Sequence, residues 1–345
     1  MGTDRDQHQP ALSRTARAKH SHTLINKTIP SILRGNARAR RGVEAVELIV
    51  DPTRHDEHPT LTLTSSFHPQ NTSNTAPQPA PTVTPPTRSI TLTISPTLFA
   101  ASTLSKTPSP SPIPHRTPPP RLAILNMASP LRPGGGLLTG ATSQEESLCR
   151  RTTLYPSLHE HFYRLPEVGA IYTPDVLVFH SSSSSPSEEQ DQTIDDKKDW
   201  FFIDVITASM LRFPDLEGDE ADIEGRRYAE QKDREMVVRK MTAVMRILRA
   251  KGVGKVVLGA WGCGAYGNPV GEIARAWKRV LLGGPGSEQD TVGSFGEMWD
   301  GLEVVFAIKD AKMAGAFARA FGPELVVVDQ PVTSVPSEEG AEDER

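Results

Sequence analysis

The sequence is poor in cysteine, lacks a long apolar run and carries little net charge, and each deficit excludes a class of protein. Its two cysteines, Cys149 and Cys263, are too few for a disulfide framework or a cysteine-rich zinc site and fit a reducing compartment. No stretch approaches the roughly 18 apolar residues of a membrane-spanning helix, and no charged-then-apolar leader opens the chain. The net charge of −4 gives no global reason to expect a protein that coats DNA or a membrane surface. We therefore expect an intracellular protein with no membrane partner and no sequence-specific nucleic-acid partner.

Arginines are concentrated near the N-terminus, in RTARAKH at 14–20 and RGNARARR at 34–41. The interpretation we favour is a solvated helix face, and the alternatives are a nuclear or nucleic-acid-contacting patch and a mitochondrial presequence. We expect a nuclear or cytoplasmic location, and a mitochondrial one stays open.

Proline is what the sequence has in excess. More than half of the 30 prolines lie in the first 120 residues, where hydrophobic residues are sparse. Such segments bury too little apolar surface to offset the entropy cost of ordering. We expect low-complexity insertions at 51–87, 97–120 and 181–199, and disordered ends at 1–12 and 330–345.

The remainder of 13–329 reads as one domain in which short apolar runs alternate with helical patterns. Such alternation indicates a layered α/β domain with a largely parallel or mixed sheet. The predicted strands lie at 43–52, 88–96, 121–128, 175–179, 201–209, 255–261 and 302–310. The predicted helices lie between 13 and 42 and near 222–250, 270–282 and 311–321.

Two glycine-rich loops each follow an apolar strand and precede a helix. The first contains GGG at 134–136, and the second is GAWGCGAYGN at 259–268. Glycine lets the backbone approach a ligand closely, and amides at a helix N-terminus attract anions. GxGxxG and GxxxxGK[ST] spacings are both absent, so neither a dinucleotide-binding nor a P-loop site is supported. Two such loops at one sheet edge could hold a diphosphate between them, and Tyr266 could cover a ribose or a base unless it only caps the helix.

Two adjacent glutamates, Glu145 and Glu146, begin the helix that follows the first loop. Negative side chains in a first helical turn are ordinarily favourable through the helix dipole. Because successive helical side chains diverge by roughly 100°, we expect the two carboxylates to have separate roles and not to flank one bond. A partly desolvated glutamate near phosphates would have a raised pKa, which suits protonation of a departing oxygen.

The segment NMASPLRPGGGLLTGATSQEESLCRRTTLYPSL, at 126–158, resembles the motif block of the microbial-type poly(ADP-ribose) glycohydrolases. GAWGCGAYGNP resembles their second ligand loop, with tyrosine where phenylalanine is expected. The resemblance implies a macrodomain-like three-layer α/β/α fold with a mixed central sheet. It also implies hydrolysis of ribose–ribose bonds in poly(ADP-ribose), or action on ADP-ribosylated proteins, without metal or cofactor. We expect the enzyme to be a monomer.

The resemblance also assigns roles to residues of this chain. Glu146 would be the catalytic acid and base, and Glu145 would orient the ribose hydroxyls. The remaining implied substrate-binding residues are Asn126, Gly134, Gly135, Gly136, Gln144, Gly262, Gly264, Ala265, Tyr266 and Gly267.

Three other hypotheses stay open beside this one. The domain could bind ADP-ribose without cleaving it, or act on mono-ADP-ribosylated protein. Cys263 could be a nucleophile, although no histidine in either loop block can serve as its base and a small buried cysteine is the commoner explanation. Asp199, Asp204 and Asp310 could contact the ligand or cap helices. Cleavage from chain ends is expected, whereas internal cleavage is not readable from the sequence.

Overall fold

The structure is a computed structural model that describes residues 13–52, 90–107, 120–180, 194–219, 222–283, 299 and 301–328. The predicted disordered ends, nearly all of the first predicted insertion and most of the third lie outside these residues, and so do His55, His58 and His68.

The described residues form an eight-stranded mixed sheet and a separate two-stranded ribbon. The strands are β1 (Glu47–Val50), β2 (Ile90–Thr93), β3 (Arg121–Met127), β4 (Gly169–Val178), β5 (Phe201–Ala208), β6 (Leu216–Glu217), β7 (Arg227–Tyr228), β8 (Val253–Leu258), β9 (Glu303–Ala307) and β10 (Val326–Val327). The order in the large sheet is β1-β4-β5-β3-β8-β9-β2-β10, with β6 and β7 forming the ribbon. β1 pairs antiparallel with β4, and β4 pairs antiparallel with β5. The pairs β5–β3, β3–β8, β8–β9, β9–β2 and β2–β10 are all parallel.

Helices cover both faces of this sheet. They are α1 (Arg14–Thr23), α2 (Ile29–Gly35), α3 (Ala37–Glu44), α4 (Thr97–Lys106), α5 (Gln144–Arg151), α6 (Gln231–Ala250), α7 (Val270–Leu282) and α8 (Ala311–Phe321), with a π-helical turn at Leu24–Thr28.

The side chains of β3 alternate between two hydrophobic cores. Ala123 and Leu125 join the core that contains α6, α7 and α8, whereas Leu122 and Ile124 join the core that contains α4 and α5. A strand that buries both faces needs helices on both sides. The predicted three-layer α/β/α class with a mixed central sheet is therefore confirmed.

The predicted insertion at 97–120 is wrong for its first ten residues, which form α4. Leu98, Ala101 and Leu104 recur along one face of this helix and are buried in the core. Pro96 precedes the helix at its N-cap, so the proline-rich surroundings frame the helix and do not interrupt it. Residues 108–119 lie outside the described part of the chain.

Three other boundaries differ from the predictions. The helix expected near 222–250 begins only at Gln231, because β7 precedes it and the buried Tyr228 hydroxyl donates to Asn268 Oδ1 at 2.8 Å. The last residues of the predicted insertion at 181–199 contact the core: Asp195 N donates to Phe179 O at 3.0 Å. The strand expected at 175–179 begins earlier, at Gly169, with an irregularity between Thr173 and Val176 that obscured its pattern.

The parallel strands β2, β3, β5, β8 and β9 all end at the same edge of the sheet. Ligands of open α/β sheets bind outside this carboxyl edge. Both glycine-rich loops follow strands that end there, which places them side by side.

Candidate active site

Gly135 is the point where the first loop meets the two glutamates. Its φ of +56° is a left-handed conformation that favours glycine. A Cβ at this position would lie 2.6 Å from Glu146 Oε1 and 2.9 Å from Glu145 Oε2. The loop can cross the start of α5 this closely only because residue 135 has no side chain.

Although successive side chains leave the helix in different directions, both carboxylates turn back toward the loop that crosses the helix start. An oxygen of each lies within 3 Å of the point that a Gly135 Cβ would occupy. The two carboxylates are therefore close together, and that they have separate roles stays a prediction.

Glu145 is a buried carboxyl with one hydrogen-bonded oxygen and one unpaired oxygen. Its side chain is 2 % exposed, Oε2 accepts from Ser129 N at 2.8 Å, and Oε1 has no partner among the described residues. Burial, and to a lesser extent the charge of Glu146, raises the pKa of Glu145 to about 8. This carboxyl is therefore protonated at neutral pH.

Glu146 is also buried, but both of its oxygens accept hydrogen bonds. Oε1 accepts from Gly136 N at 2.6 Å, and Oε2 accepts from the Ser143 hydroxyl. Glu145 and Glu146 thus differ in environment: one oxygen of Glu145 has no partner among the described residues, whereas both oxygens of Glu146 accept hydrogen bonds.

Gln144 and Asn126 lie behind this pair. The Gln144 amide accepts from Met127 N and donates to Leu125 O, each at 2.8 Å, so its polar atoms bind the end of β3. Asn126 is fully buried and donates to Thr207 Oγ1 at 3.2 Å, while its Oδ1 has no partner among the described residues. Both residues were predicted to bind substrate, and Gln144 is placed to hold the strand end in position.

The second loop runs from β8 to α7 and is anchored at its base. The Asn268 amide donates to Gly262 O at 3.1 Å and to Leu211 O at 2.8 Å. By contrast, Gly264 and Gly267 are exposed, and a Cβ on either would meet no atom within 4 Å. The loop therefore presents exposed backbone on a fixed base. The exposed Ala265 lies between those glycines, and Gly267 N donates to Gly264 O at 3.1 Å.

Tyr266 joins the two loops. Burial raises the pKa of its phenol, and Ser129 of the first loop acts in the opposite direction. The charges of Glu145 and Glu146 also raise the pKa of Tyr266, so its phenol is within electrostatic reach of the carboxylate pair. Its contact with the ligand stays a prediction.

A cavity of about 280 Å³ opens next to the carboxylate pair, on the side of β8, β9 and β2. Its walls include the first residues of α4, α5 and α8, whose N–H groups favour an anion. The lining residues are Ser95, Pro96, Thr97, Leu98, Met127, Thr142, Ser143, Gln144, Ser147, Leu148, Arg151, Ala260, Gly264, Ala307, Ile308, Lys309, Asp310 and Met313. The sequence does not predict that β2 and α4 contribute to the wall of this cavity, because the residues of α4 lie within the predicted insertion at 97–120.

The three aspartates considered in the sequence have different positions. Asp310 is in the cavity wall and caps α8 by accepting from Met313 N at 2.6 Å. Asp204 lies toward the other end of the sheet, where it accepts from Arg121 and from the Tyr172 hydroxyl. Asp199 is exposed in a short helical turn.

The cysteine hypothesis finds no support in the geometry. Burial raises the pKa of both thiols. Cys149 is a residue of α5, and its side chain is buried in the core. A neutral thiol is a poor nucleophile. Within the described ranges, no group of three or more His, Cys, Asp or Glu side chains could hold a metal ion. The helices of the described ranges include none long and apolar enough to cross a bilayer.

Comparison with known families supports the resemblance stated for the segment that contains the first glycine-rich loop. Residues 53–181 match the family model of the microbial-type PARG catalytic domain. The matched segment contains the GGG loop, Glu145 and Glu146, and it begins inside the stretch predicted as an insertion. It does not reach the second loop. No curated protein sequence matches the chain significantly.

Solved structures show the same fold. A poly(ADP-ribose) glycohydrolase from Thermomonospora curvata is 24 % identical, with a TM-score of 0.55 over 89 % of this chain and 99 % of that chain. The same enzyme bound to the inhibitor ADP-HPD is 23 % identical, with a TM-score of 0.54 over the same shares. The Deinococcus radiodurans enzyme in complex with ADP-ribose is 25 % identical over 68 % of this chain and 84 % of that one, with a TM-score of 0.47 that is too low to inform the site. The macrodomain-like expectation is thereby confirmed.

Proposed function

We propose, from the match of residues 53–181 to the microbial-type poly(ADP-ribose) glycohydrolase catalytic domain, that this chain hydrolyses ribose–ribose bonds in poly(ADP-ribose) and releases ADP-ribose. The observation that carries the proposal is the convergence of Glu145 and Glu146 on Gly135, beside a cavity of about 280 Å³. This arrangement combines an acid–base pair with space for a nucleotide.

The carboxylate pair holds the one proton that glycoside cleavage requires. The raised pKa of Glu145, about 8, keeps one proton on the pair at neutral pH. In this proposal the proton passes from Glu145 to Glu146, since an oxygen of each lies within 3 Å of the same point at Gly135. Glu146 then protonates the departing ribose oxygen as the bond from the anomeric carbon to that oxygen breaks. Water then adds to the oxocarbenium ion, and its proton returns to Glu146. Glu145 and Asn126 would orient the ribose hydroxyls through their unpaired oxygens.

The two loops would hold the rest of the ADP-ribose unit. Gly134, Gly135 and Gly136 would shape the ribose and diphosphate pocket from one side. The exposed backbone at Gly264, Ala265 and Gly267 would contact the diphosphate from the other side, above Gly262. Tyr266 would cover the distal ribose, and the adjoining cavity would take the nucleoside.

The test compares the wild-type chain with Glu146→Ala and Glu146→Gln on purified poly(ADP-ribose) and on mono-ADP-ribosylated protein. Free ADP-ribose and the affinity for ADP-ribose are measured in parallel. We expect both variants to lose at least a hundredfold in release rate, as is typical of a missing general acid. Glu146→Gln should keep its affinity within about threefold, since the amide retains the shape of the side chain.

The same experiment separates the alternatives. Release by the wild type from mono-ADP-ribosylated protein alone would make the chain a mono-ADP-ribosyl hydrolase. Tight ADP-ribose binding without release from either substrate would make it a binding module and overturn the proposal. Glu47→Gln is the matched control, because Glu47 lies on edge strand β1, pairs with Lys251 and is remote from the carboxylate pair.

We further propose that the chain is a monomer that removes ADP-ribose chains during the DNA damage response, in the nucleus or the cytoplasm. The N-terminal arginines bear on this. Arg14 and Arg17 donate to Thr139 O and Gly140 O, each at 2.9 Å, and Arg38 pairs with Asp175 at 2.7 Å. These arginines are part of the fold, which argues against a presequence that is removed.

A further inference from the structure

Phe213 and Arg212 form an exposed surface at the mouth of the site that the mechanism above does not use. The Phe213 side chain is 67 % exposed, and its backbone φ is +50°. Bulky residues seldom adopt this left-handed conformation, and such outliers cluster at ligand sites. A large aromatic ring is thus held in solvent by a backbone that does not favour it.

Contacts with Tyr266 fix the position of this surface. Phe213 N donates to Tyr266 O at 3.0 Å, and the two rings meet edge-on with centroids 6.2 Å apart. The Arg212 guanidinium lies 5.5 Å from the Phe213 centroid and 5.6 Å from the Tyr266 centroid. We call Arg212 and Phe213, which Tyr266 supports, the aromatic platform.

Arg212 and Phe213 lie away from the far walls of the cavity along the sheet order. They follow β5, which neighbours β3 on the side away from β8, and Phe213 N reaches Tyr266 O in the loop after β8. The cavity is lined by residues that follow β2 and β9, beyond β8, and its lining includes neither Arg212 nor Phe213. Glu145 and Glu146 follow β3. A substrate that extends from the cavity past the carboxylate pair toward β5 therefore meets Arg212 and Phe213.

This inference rests on the proposed function. If the cavity holds the nucleoside of the departing ADP-ribose unit, its distal ribose lies at the carboxylate pair. The leaving oxygen belongs to the adenosine ribose of the preceding unit, which must then lie on the side of β5. Adenine stacks on aromatic rings and on arginine, and arginine also attracts the adjoining diphosphate.

We propose that the aromatic platform is a subsite for the adenosine of the preceding ADP-ribose unit, on the leaving-group side of the bond. Phe213 supplies the stacking face, and Arg212 supplies the cation beside the base and diphosphate. The platform would favour polymer over a single ADP-ribose unit, because a single unit does not extend past the carboxylate pair.

Binding without turnover provides the test. In a Glu146→Gln background, affinities for an ADP-ribose dimer and for ADP-ribose are compared with and without Phe213→Ala. We expect the dimer to bind about tenfold more weakly to the Phe213→Ala protein, in line with the loss of one stacked base. The affinity for ADP-ribose should change by less than about twofold, and Phe213→Trp should restore dimer binding.

Arg38→Ala is the matched control, because Arg38 packs 4.0 Å over the Phe202 ring at the opposite end of β5. It should leave both affinities unchanged. Equal dimer affinity with and without Phe213→Ala would overturn the subsite, even if the wild type cleaves the polymer. Absence of cleavage by the wild type would instead contradict the proposed function, so the two failures are distinguishable. Since Phe213 is exposed, a melting curve within about 2 °C of the parent shows that the variant folds.

Discussion

At the scale of single residues, the proton on Glu145 links the chemistry of the site to the stability of the protein. The folded state raises the pKa of this carboxyl from 4.5 to about 8. The folded protein therefore keeps a proton that the unfolded chain releases. The contribution of the neutral carboxyl to the free energy of unfolding is complete below about pH 4.5 and is lost as the pH rises toward 8.

We predict that Glu145→Gln removes this pH dependence. Relative to the variant, the wild type should lose up to about 1.4 kcal/mol of unfolding free energy per pH unit between pH 5 and 8. Denaturant unfolding at several pH values measures the difference. Other buried groups, such as Lys240 with its lowered pKa, are present in both proteins. Their contributions to the pH dependence therefore cancel in the difference. Parallel profiles would show that Glu145 is ionised in the folded state.

At the scale of elements, α1 holds the outer side of the catalytic loop. Arg14 and Arg17 donate to carbonyls at 139 and 140, and Arg150 donates to Ala141 O at 2.9 Å. These carbonyls follow Gly136, whose N–H binds Glu146. The side chains of α1 thereby fix the loop that positions Glu146.

Loss of this clamp should slow catalysis more than it weakens binding. For Arg14→Ala combined with Arg17→Ala we expect kcat to fall about tenfold, a loss of about 1.4 kcal/mol in transition-state stabilisation, with KM changed by less than about twofold. Steady-state kinetics on poly(ADP-ribose) gives both values. Lys19→Ala is the control, since Lys19 is exposed on the same helix. A double variant with the kcat of the wild type would show that the loop holds itself in place.

The sequence predicts elements best where a pattern is long. The helix at 270–282 is found with its predicted bounds, and β3 and β5 differ from their predictions by a single residue. Two-residue strands such as β6 and β7 leave no periodic pattern, because they exist only through pairing with each other. Helix α4 was missed because its ten residues lie between prolines.

The same reasoning explains which parts of the site could be predicted. The GGG loop and the two glutamates lie within one short motif, so the sequence itself brings them together. Arg212 and Phe213 carry no motif. Their position depends on a hydrogen bond to Tyr266, which is distant in sequence, and on the place of the preceding strand β5 beside β3. Roles of individual site residues remain predictions for the mutants above to test.

At the scale of the whole molecule, a ligand that bridges the two loops should stabilise the fold. At about 100 times its Kd, ADP-ribose adds about 2.7 kcal/mol to the free energy of unfolding. For a domain of this size, that corresponds to an increase in Tm of roughly 5–10 °C. Thermal melts with ADP-ribose, and with ribose 5-phosphate as a control that cannot fill the cavity, measure it.

A blocked cavity is the matched variant. Gly264 borders the cavity, and a side chain there meets no atom within 4 Å. Gly264→Trp should keep the melting temperature of the free protein and lose the increase with ADP-ribose. If the increase persists in this variant, ADP-ribose binds elsewhere.

The parts of the site are supplied from distant regions of the chain, and this bears on how a nascent chain gains activity. α1 emerges first from the ribosome, but its partners at 139 and 140 are synthesised about 125 residues later. β9 and β10, the neighbours of β2 in the sheet, lie at 303–307 and 326–327. The clamp can form once residues 139 and 140 have been synthesised, whereas the β2 side of the cavity must wait for β9 and β10. We therefore expect a growing chain to be inactive toward polymer until β9 and β10 have been synthesised.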